Sequence, residues 1–312
     1  MYTAIVTVPN TFLYETSCAE HVSDELLSGW IVTVQNRERD FLEVTTDYGY
    51  TGWLKASAIR RITAEEWRFG DLKDTEENTV SPAVLCRGIT DILEDPRVQS
   101  AVLSTLFMGS HVQILGKTRD GWQRIQTAGG ICGYVPAGSL FLSDRNFAEF
   151  SGNCCNRHVG SLLPGRNLSG SVINCIASFS CSKLRRKVLH YAKSYLGVQY
   201  RWGGKTHAGI DCSGLTFMSY YMCGIAIYRD AAIAEGYPVR EIPLDQIQPA
   251  DLIYFPGHVA LYLGNGEYIH STGNLADFGC TINSLNPYSS IYRKDLAENI
   301  TAAGSVFGVS EL

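Results

Sequence analysis

The chain has 312 residues, 45% of them hydrophobic, which is enough to bury more than one core and points to about two domains, or three if they are small. Its 26 Lys and Arg against 31 Asp and Glu leave a net charge of -5 spread along the sequence, so no basic face for nucleic acid or anionic lipid is expected, and a small-molecule or peptide partner fits better. The opening MYTAIVTVPNTFLYE has no basic stretch followed by an apolar core, and no apolar run nears the roughly 20 residues that cross a bilayer. The expectation is a cytoplasmic protein without a membrane span, or an exported one if a signal peptide has been removed ahead of Met1.

The first half repeats itself. Leu13 recurs as Leu93, Leu27 and Gly29 as Phe107 and Gly109, and Val32 and Val34 as Val112 and Ile114, all at an offset of 80. The block GYTGWLKASAI (49–59) then lies over GICGYVPAGSL (130–140) at an offset of 81, so one residue is gained between the blocks. Within each copy, short alternating stretches such as WIVTVQ and DFLEVTT, or HVQILGK and GWQRIQT, are separated by Gly and Asp, the pattern of twisted antiparallel strands with tight turns. Each copy is read as a small β-barrel. The Gly-x-x-Gly-aromatic-hydrophobic block, with the turn-like KASAI behind it, resembles bacterial SH3 (SH3b) domains. Two such barrels are expected at 1–63 and 81–143, joined by an acidic, polar linker at 64–80.

Residues 144–181, rich in Ser, Gly, Asn and Cys, read as an irregular connection. The ten cysteines are irregularly spaced in a large chain, so reduced thiols are expected. Cys154, Cys155, His158, Cys175 and Cys181 suggest a zinc cluster only superficially, because paired C-x2-C spacing is missing. No metal and no cofactor is expected.

SKLRRKVLHYAKSYLG (182–197) opens on a capping Ser182, carries apolar residues at 184, 188, 189, 192, 195 and 196, and stops at Gly197, which predicts an amphipathic helix with His190 in a surface or packing role. A second helix is predicted over CSGLTFMSYYMCGI, with Leu215, Met218, Tyr221 and Met222 on one stripe and Gly224 as its stop. Cys212 then opens that helix, where free amides and the positive dipole end are expected to lower its pKa, while Cys223 lies at the buried end and is expected to be inert. Downstream, PGHVALYLGNGEYIHST predicts a hairpin with strands 258–263 and 267–271, Leu263 facing Glu267, and His258 and His270 close enough to touch.

D-C-S-G, then G-H-V-A-L-Y-L-G, then Y-I-H-S-T is similar to the motif set of the NlpC/P60 cysteine peptidases, with the resemblance covering residues 182 to about 308. It implies a multidomain chain: two all-β SH3b barrels followed by an α+β papain-like domain at 182–312 that cleaves peptidoglycan stem peptides. It implies a catalytic set of Cys212 as nucleophile, His258 as general base and His270 orienting His258, with the Cys212 N–H as oxyanion donor and Tyr200 assisting. Tandem SH3b domains ahead of this domain resemble γ-D-glutamyl-L-diamino acid endopeptidases of the YkfC type, which act on stem peptides with a free N-terminal L-Ala and fit cell-wall recycling. A barrel that caps the groove should offer the substrate amine a partner. Tyr50, replaced by Ile131 in the second copy, is the candidate, with Glu20 as a carboxylate partner. Trp202, Asp211, Ser213, Arg229 and Asp230 match groove-lining positions: Asp230 for the α-ammonium, Ser213 for the D-Glu carboxylate, and Asp211 and Arg229 with the alternative of capping or pairing locally. Ala231 stands where relatives often have Ser, so that hydroxyl contact is missing. An amidase or acyltransferase on the same scaffold, or a wall-peptide-binding protein with a relic catalytic domain, are the alternatives.

Overall fold

The computed structural model describes residues 1–63, 80–142 and 181–307. The expected linker, apart from Val80, and the expected 144–181 connection, apart from Cys181, lie outside the described residues. By internal contacts the chain divides into Met1–Arg145 and Asn146–Leu312.

The N-terminal unit holds two seven-stranded sheets. The first comprises β1 (Tyr2–Val6), β2 (Asn10–Tyr14), β3 (Val22–Leu27), β4 (Ile31–Glu38), β5 (Phe41–Thr46), β6 (Thr51–Lys55) and β7 (Ile59–Arg61). The second comprises β8 (Val80–Leu85), β9 (Ile89–Leu93), β10 (Val102–Phe107), β11 (His111–Leu115), β12 (Trp122–Thr127), β13 (Cys132–Pro136) and β14 (Leu140–Leu142). The strand orders, β3-β2-β6-β5-β4-β1-β7 and β10-β9-β13-β12-β11-β8-β14, are the same order displaced by seven strands. Strand alternation explains the cores: in β5, Leu42, Val44 and Thr46 are buried, and in β12, Gln123, Ile125 and Thr127 are. KASAI and its copy each contain one short 3-10 turn, at Ala56–Ala58 and Ala137–Ser139. The offset of 81 is visible atom by atom, since Tyr50 N–H donates to Thr46 Oγ1 at 2.9 Å and Ile131 N–H to Thr127 Oγ1 at 3.1 Å. β8 begins at Val80, one residue inside the segment read as linker.

The two sheets meet along a polar seam. Trp30 Nε1 donates to the Gly109 carbonyl at 2.9 Å, and the His111 N–H donates to the Ser28 carbonyl at 2.9 Å. Gly29 sits in this seam at φ +80, and a Cβ there would lie 2.6 Å from the His111 carbonyl oxygen.

The C-terminal unit is α+β. It contains α1 (Cys181–Ser194), β15 (Lys205–Thr206), β16 (Gly209–Ile210), α2 (Cys212–Tyr221), β17 (Arg240–Ile242), β18 (Leu252–Phe255), β19 (His258–Gly264), β20 (Glu267–Thr272), β21 (Gly279–Ser284), α3 (Lys294–Ala297) and β22 (Ala302–Ser305). Six strands form one antiparallel sheet in the order β17-β22-β18-β19-β20-β21, and α2 packs between α1 and strands β19 and β20. α1 begins one residue before its predicted start. It buries Leu184, Val188, Tyr191 and Ala192, while Leu196, expected on the apolar stripe, is exposed beyond the helix end.

α2 departs from expectation. Every residue from Cys212 to Tyr220 is buried, so it is a central helix and not a one-striped amphipathic one. Its hydroxyls tolerate this because the helix satisfies them: Thr216 Oγ1 donates to the Ser213 carbonyl at 3.0 Å and Ser219 Oγ to the Leu215 carbonyl at 2.7 Å. The β19–β20 register also differs, since Gly264 pairs with Glu267 and Leu263 is the bulged residue. The turn is then Asn265-Gly266, both at positive φ, which is the two-residue hairpin connection that matches strand twist.

The seam at Gly29 yields a stability test. Gly121 has the same backbone sign, φ +79, with nothing within 4 Å of an added Cβ. Gly29→Ala should therefore lower the thermal unfolding midpoint more than Gly121→Ala, by a difference worth at least about 1 kcal/mol. Equal midpoints in the two variants would remove the seam from the account.

Candidate functional site

The glycine-rich approach and α2 make one packed corner. Asp211, extended at φ -95, is the N-cap of α2 and accepts the Gly214 N–H at 2.5 Å through Oδ1. Its Oδ2 accepts the Gly203 N–H at 2.8 Å. A Cβ on Gly214 would collide with the Gly204 carbonyl, so the glycine of D-C-S-G is required by close backbone approach. Arg229, 1% exposed, closes the corner: Nη1 and Nη2 bond the two Asp211 oxygens at 3.1 and 3.0 Å, and Nη1 also donates to Ser213 Oγ at 2.7 Å. Asp211 and Arg229 thus cap and pair locally, as the sequence allowed, and Ser213 is drawn into the same network.

Cys212 follows at the first helical position, so its N–H has no acceptor inside the helix. It is buried, and the backbone N–H groups of Val259 and Ser213 reach its sulfur. Burial, reinforced by Asp211, pushes the thiol up to about 11 against the pull of those amides and of Arg229. The expected low pKa is therefore overturned: removing the sulfur from water outweighs the helix-end environment. Cys223, also buried, is pushed up to about 12 by burial.

His258 opens β19, immediately before the Val259 N–H that reaches the sulfur. Its Nε2 lies 2.7 Å from Nδ1 of His270, which is fully buried in β20. His270 Nε2 lies 2.8 Å from Asn283 Oδ1 in β21, and Asn283 Nδ2 donates to the Ile291 carbonyl at 3.1 Å. Burial lowers both histidines below the ordinary range, with His270 and Arg293 also acting on His258. Both rings are neutral at pH 7. Ser271 Oγ donates to the Ile210 carbonyl at 2.7 Å, fastening the strand of His270 to the residues just before Cys212.

Tyr200 bridges to Ile210 and packs edge to face on Phe278 at 6.0 Å. Burial, with Cys212 and Asp211 nearby, raises its phenol, so it stays a hydrogen-bond donor. Trp202 is 66% exposed. Asp230 is half-buried and accepts a hydrogen bond from Tyr228, whose ring lies 5.1 Å from that of Tyr237. In the N-terminal unit, Tyr50 is half-buried and Glu20 is exposed.

Two features escaped sequence reasoning. Asn283 carries no motif, and only its register opposite Tyr268 places it beside His270. In β3, Asp24 and Glu25 are fully buried carboxylates, hydrogen-bonded by Tyr48 and Asn10 respectively, where the second copy has Ser104 and Thr105. Among the described residues, no group of three or more His, Cys, Asp or Glu side chains is placed to hold a metal ion, and no helix is long and apolar enough to cross a membrane.

The neutral thiol has a measurable signature. Alkylation of Cys212 by iodoacetamide, followed by mass spectrometry, should accelerate about tenfold per pH unit from pH 7 to 9, because the thiolate fraction grows with pH until the thiol's own pKa is reached. A rate already flat across that range would mean a thiolate at neutrality.

Residues 197–298 match the NlpC/P60 family and residues 90–141 match the bacterial SH3 domain. Dipeptidyl-peptidase 6 of Lysinibacillus sphaericus is 33% identical over 290 residues, spanning 91% of this chain and 92% of its own. The γ-D-glutamyl-L-lysine dipeptidyl-peptidase of Bacillus subtilis (strain 168) is 34% identical over 110 residues, 33% of this chain and 36% of its own. An NlpC/P60 family protein of known structure from Bacillus cereus ATCC 10987 shares the fold with a TM-score of 0.68 at 18% identity, covering 96% of this chain and 98% of that one. With a motif-bearing C-terminal unit and a relative matched along nearly its whole length, the chain belongs to the NlpC/P60 family of cysteine peptidases and carries a bacterial SH3 domain ahead of its peptidase domain.

Proposed function

We propose that this protein is an endopeptidase that hydrolyses the γ-D-glutamyl-L-diamino acid bond of peptidoglycan stem peptides with a free N-terminal L-Ala, in cell-wall recycling. The observation that carries the chemistry is the convergence on one sulfur of a helix N-terminus, the Val259 N–H and the strand beginning at His258, with His258 held 2.7 Å from His270. The observation that favours this substrate is the near full-length relative named as a dipeptidyl-peptidase, together with the partial relative whose name specifies γ-D-glutamyl-L-lysine.

In this reading Cys212 Sγ attacks the γ-carbonyl carbon of D-Glu while His258 takes the thiol proton. The oxyanion is met by the Cys212 N–H and the Tyr200 phenol. Collapse of the tetrahedral intermediate breaks the C–N bond, and the departing amine of the diamino acid receives the proton from His258. Water, deprotonated by His258, then attacks the thioester and releases the L-Ala-γ-D-Glu carboxylate, with the proton returning to the sulfur. The neutral thiol and neutral imidazole suit this sequence, because proton transfer accompanies attack and no buried ion pair waits in the resting site.

The remaining assignments follow the same reading. Asp211 and Arg229 build the floor of the groove, Ser213 meets the D-Glu carboxylate, Asp230 the α-ammonium, and Trp202 lines the exposed side. Residues 1–63 form a second bacterial SH3 domain, supported by a strand order identical to that of the matched copy. The proposed domain division is 1–63, 81–143 and 182–312, and Tyr50, with Glu20 as its partner, is assigned to the substrate amine. Only that copy has a phenol at this position.

Mass-spectrometric product analysis with L-Ala-γ-D-Glu-meso-diaminopimelate, beside the same peptide acetylated on its N-terminus, tests the proposal. The expected outcome is release of L-Ala-γ-D-Glu from the free peptide alone, lost by at least about a thousandfold in Cys212→Ala and weakened in Tyr50→Phe. Equal cleavage of both peptides would remove the amine requirement. Cleavage of neither would shift the reading to an amidase or a binding protein.

A further inference from the structure

We infer that Asn283 is a positioning residue that dictates where the protons sit on both imidazoles, and that it thereby assigns Nδ1 of His258 as the atom that takes the Cys212 proton. The inference rests on the peptidase reading for its chemical meaning but not for its geometry.

The argument starts from a backbone carbonyl, which can only accept. The Ile291 carbonyl lies 3.1 Å from the Asn283 side-chain nitrogen, so the amide's NH2 group is turned toward it and Oδ1 is turned away. Oδ1 can also only accept, and His270 Nε2 lies 2.8 Å from it, so that nitrogen must carry hydrogen. A neutral His270 with a proton on Nε2 has a bare Nδ1. His258 Nε2 is 2.7 Å from that lone pair and must in turn be the donor. A neutral His258 with its proton on Nε2 leaves Nδ1 bare, the nitrogen a general base needs.

Each link is held in place. Asn283 and His270 are 4% and 0% exposed, and the β20–β21 ladder sets Asn283 opposite Tyr268, two residues from His270. The charged groups facing His270 are mixed: Arg293, from the segment after β21, opposes protonation, while Asp277, in the β20–β21 connection, and Asp295 favour it. Arg293 is bonded to Asp295 at 2.6 Å and to Asp277 at 3.4 Å, so these charges largely offset one another. The neutral amide therefore decides the proton position.

A carboxylate at position 283 would favour a cationic His270. Such a ring carries hydrogen on Nδ1, which would oblige His258 to accept through Nε2 and to carry its own proton on Nδ1, the nitrogen this inference assigns to the Cys212 proton. The amide prevents that reversal.

Nitrogen NMR of isotopically labelled histidine in the full chain, without substrate, reads the proton positions directly. In the wild type at neutral pH, Nδ1 of both rings should be bare and Nε2 of both protonated. Asn283→Leu, which has no acceptor, should scramble this pattern and lower kcat on the stem peptide about tenfold or more with little change in KM. Asn283→Asp should keep the fold and move the acid limb of the kcat/KM profile to higher pH, because a cationic His270 is then reached at higher pH and blocks the base. A proton on His258 Nδ1 in the wild type, or a pattern unchanged by Asn283→Leu, would overturn the inference. If Asn283→Leu does not fold, an acid limb left in place by Asn283→Asp would do the same. Because the NMR measurement needs no turnover, a protein that shows the expected proton pattern yet cleaves no stem peptide would sink the peptidase reading and leave the role of Asn283 standing.

Discussion

Five hydrogen bonds end on the carboxylate of Asp211, from the backbone of Gly203 and Gly214, from Ser213 Oγ and from both terminal nitrogens of Arg229. The carboxylate and the guanidinium are both buried, a costly arrangement that is tolerable only when each charge is fully engaged. What it secures is the start of α2. The cap fixes where the helix begins, the glycine loop is drawn onto the first turn, and Cys212 is left with one backbone orientation. Loss of either charge would leave the other buried without its counter-charge, typically a penalty of about 3–5 kcal/mol.

Around that corner the electrostatics are those of a dry site. The thiol is raised and the two imidazoles are lowered by the same cause, removal from water. A helix N-terminus by itself lowers the pKa of a cysteine placed there. Here the helix is sunk so deeply in the domain that the desolvation of the sulfur prevails and pushes the thiol up.

Much of this was legible in the sequence, for reasons that can be located. The repeat survived because glycines at positive φ cannot drift: Gly29 and Gly109 sit at φ +80 and +91, and Gly130 at +86. The Asn265-Gly266 turn announced the hairpin, and with it the pairing of His258 and His270. Other features depend on contacts that no local pattern encodes. The stripe read in α2 ignored that Thr216 and Ser219 bond their own helix and can be buried on any side. The bulge at Leu263 shifts the ladder by one residue without altering which histidines meet. Asn283 lies thirteen residues beyond His270, in a strand of unremarkable composition, and acquires meaning only from the register of β21.

The bond from Ser271 Oγ to the Ile210 carbonyl joins the strand that carries His270 to the residues that lead into Cys212. The helix that opens at Cys212 is thus fastened to the strand of His270 by a side-chain bond as well as by packing.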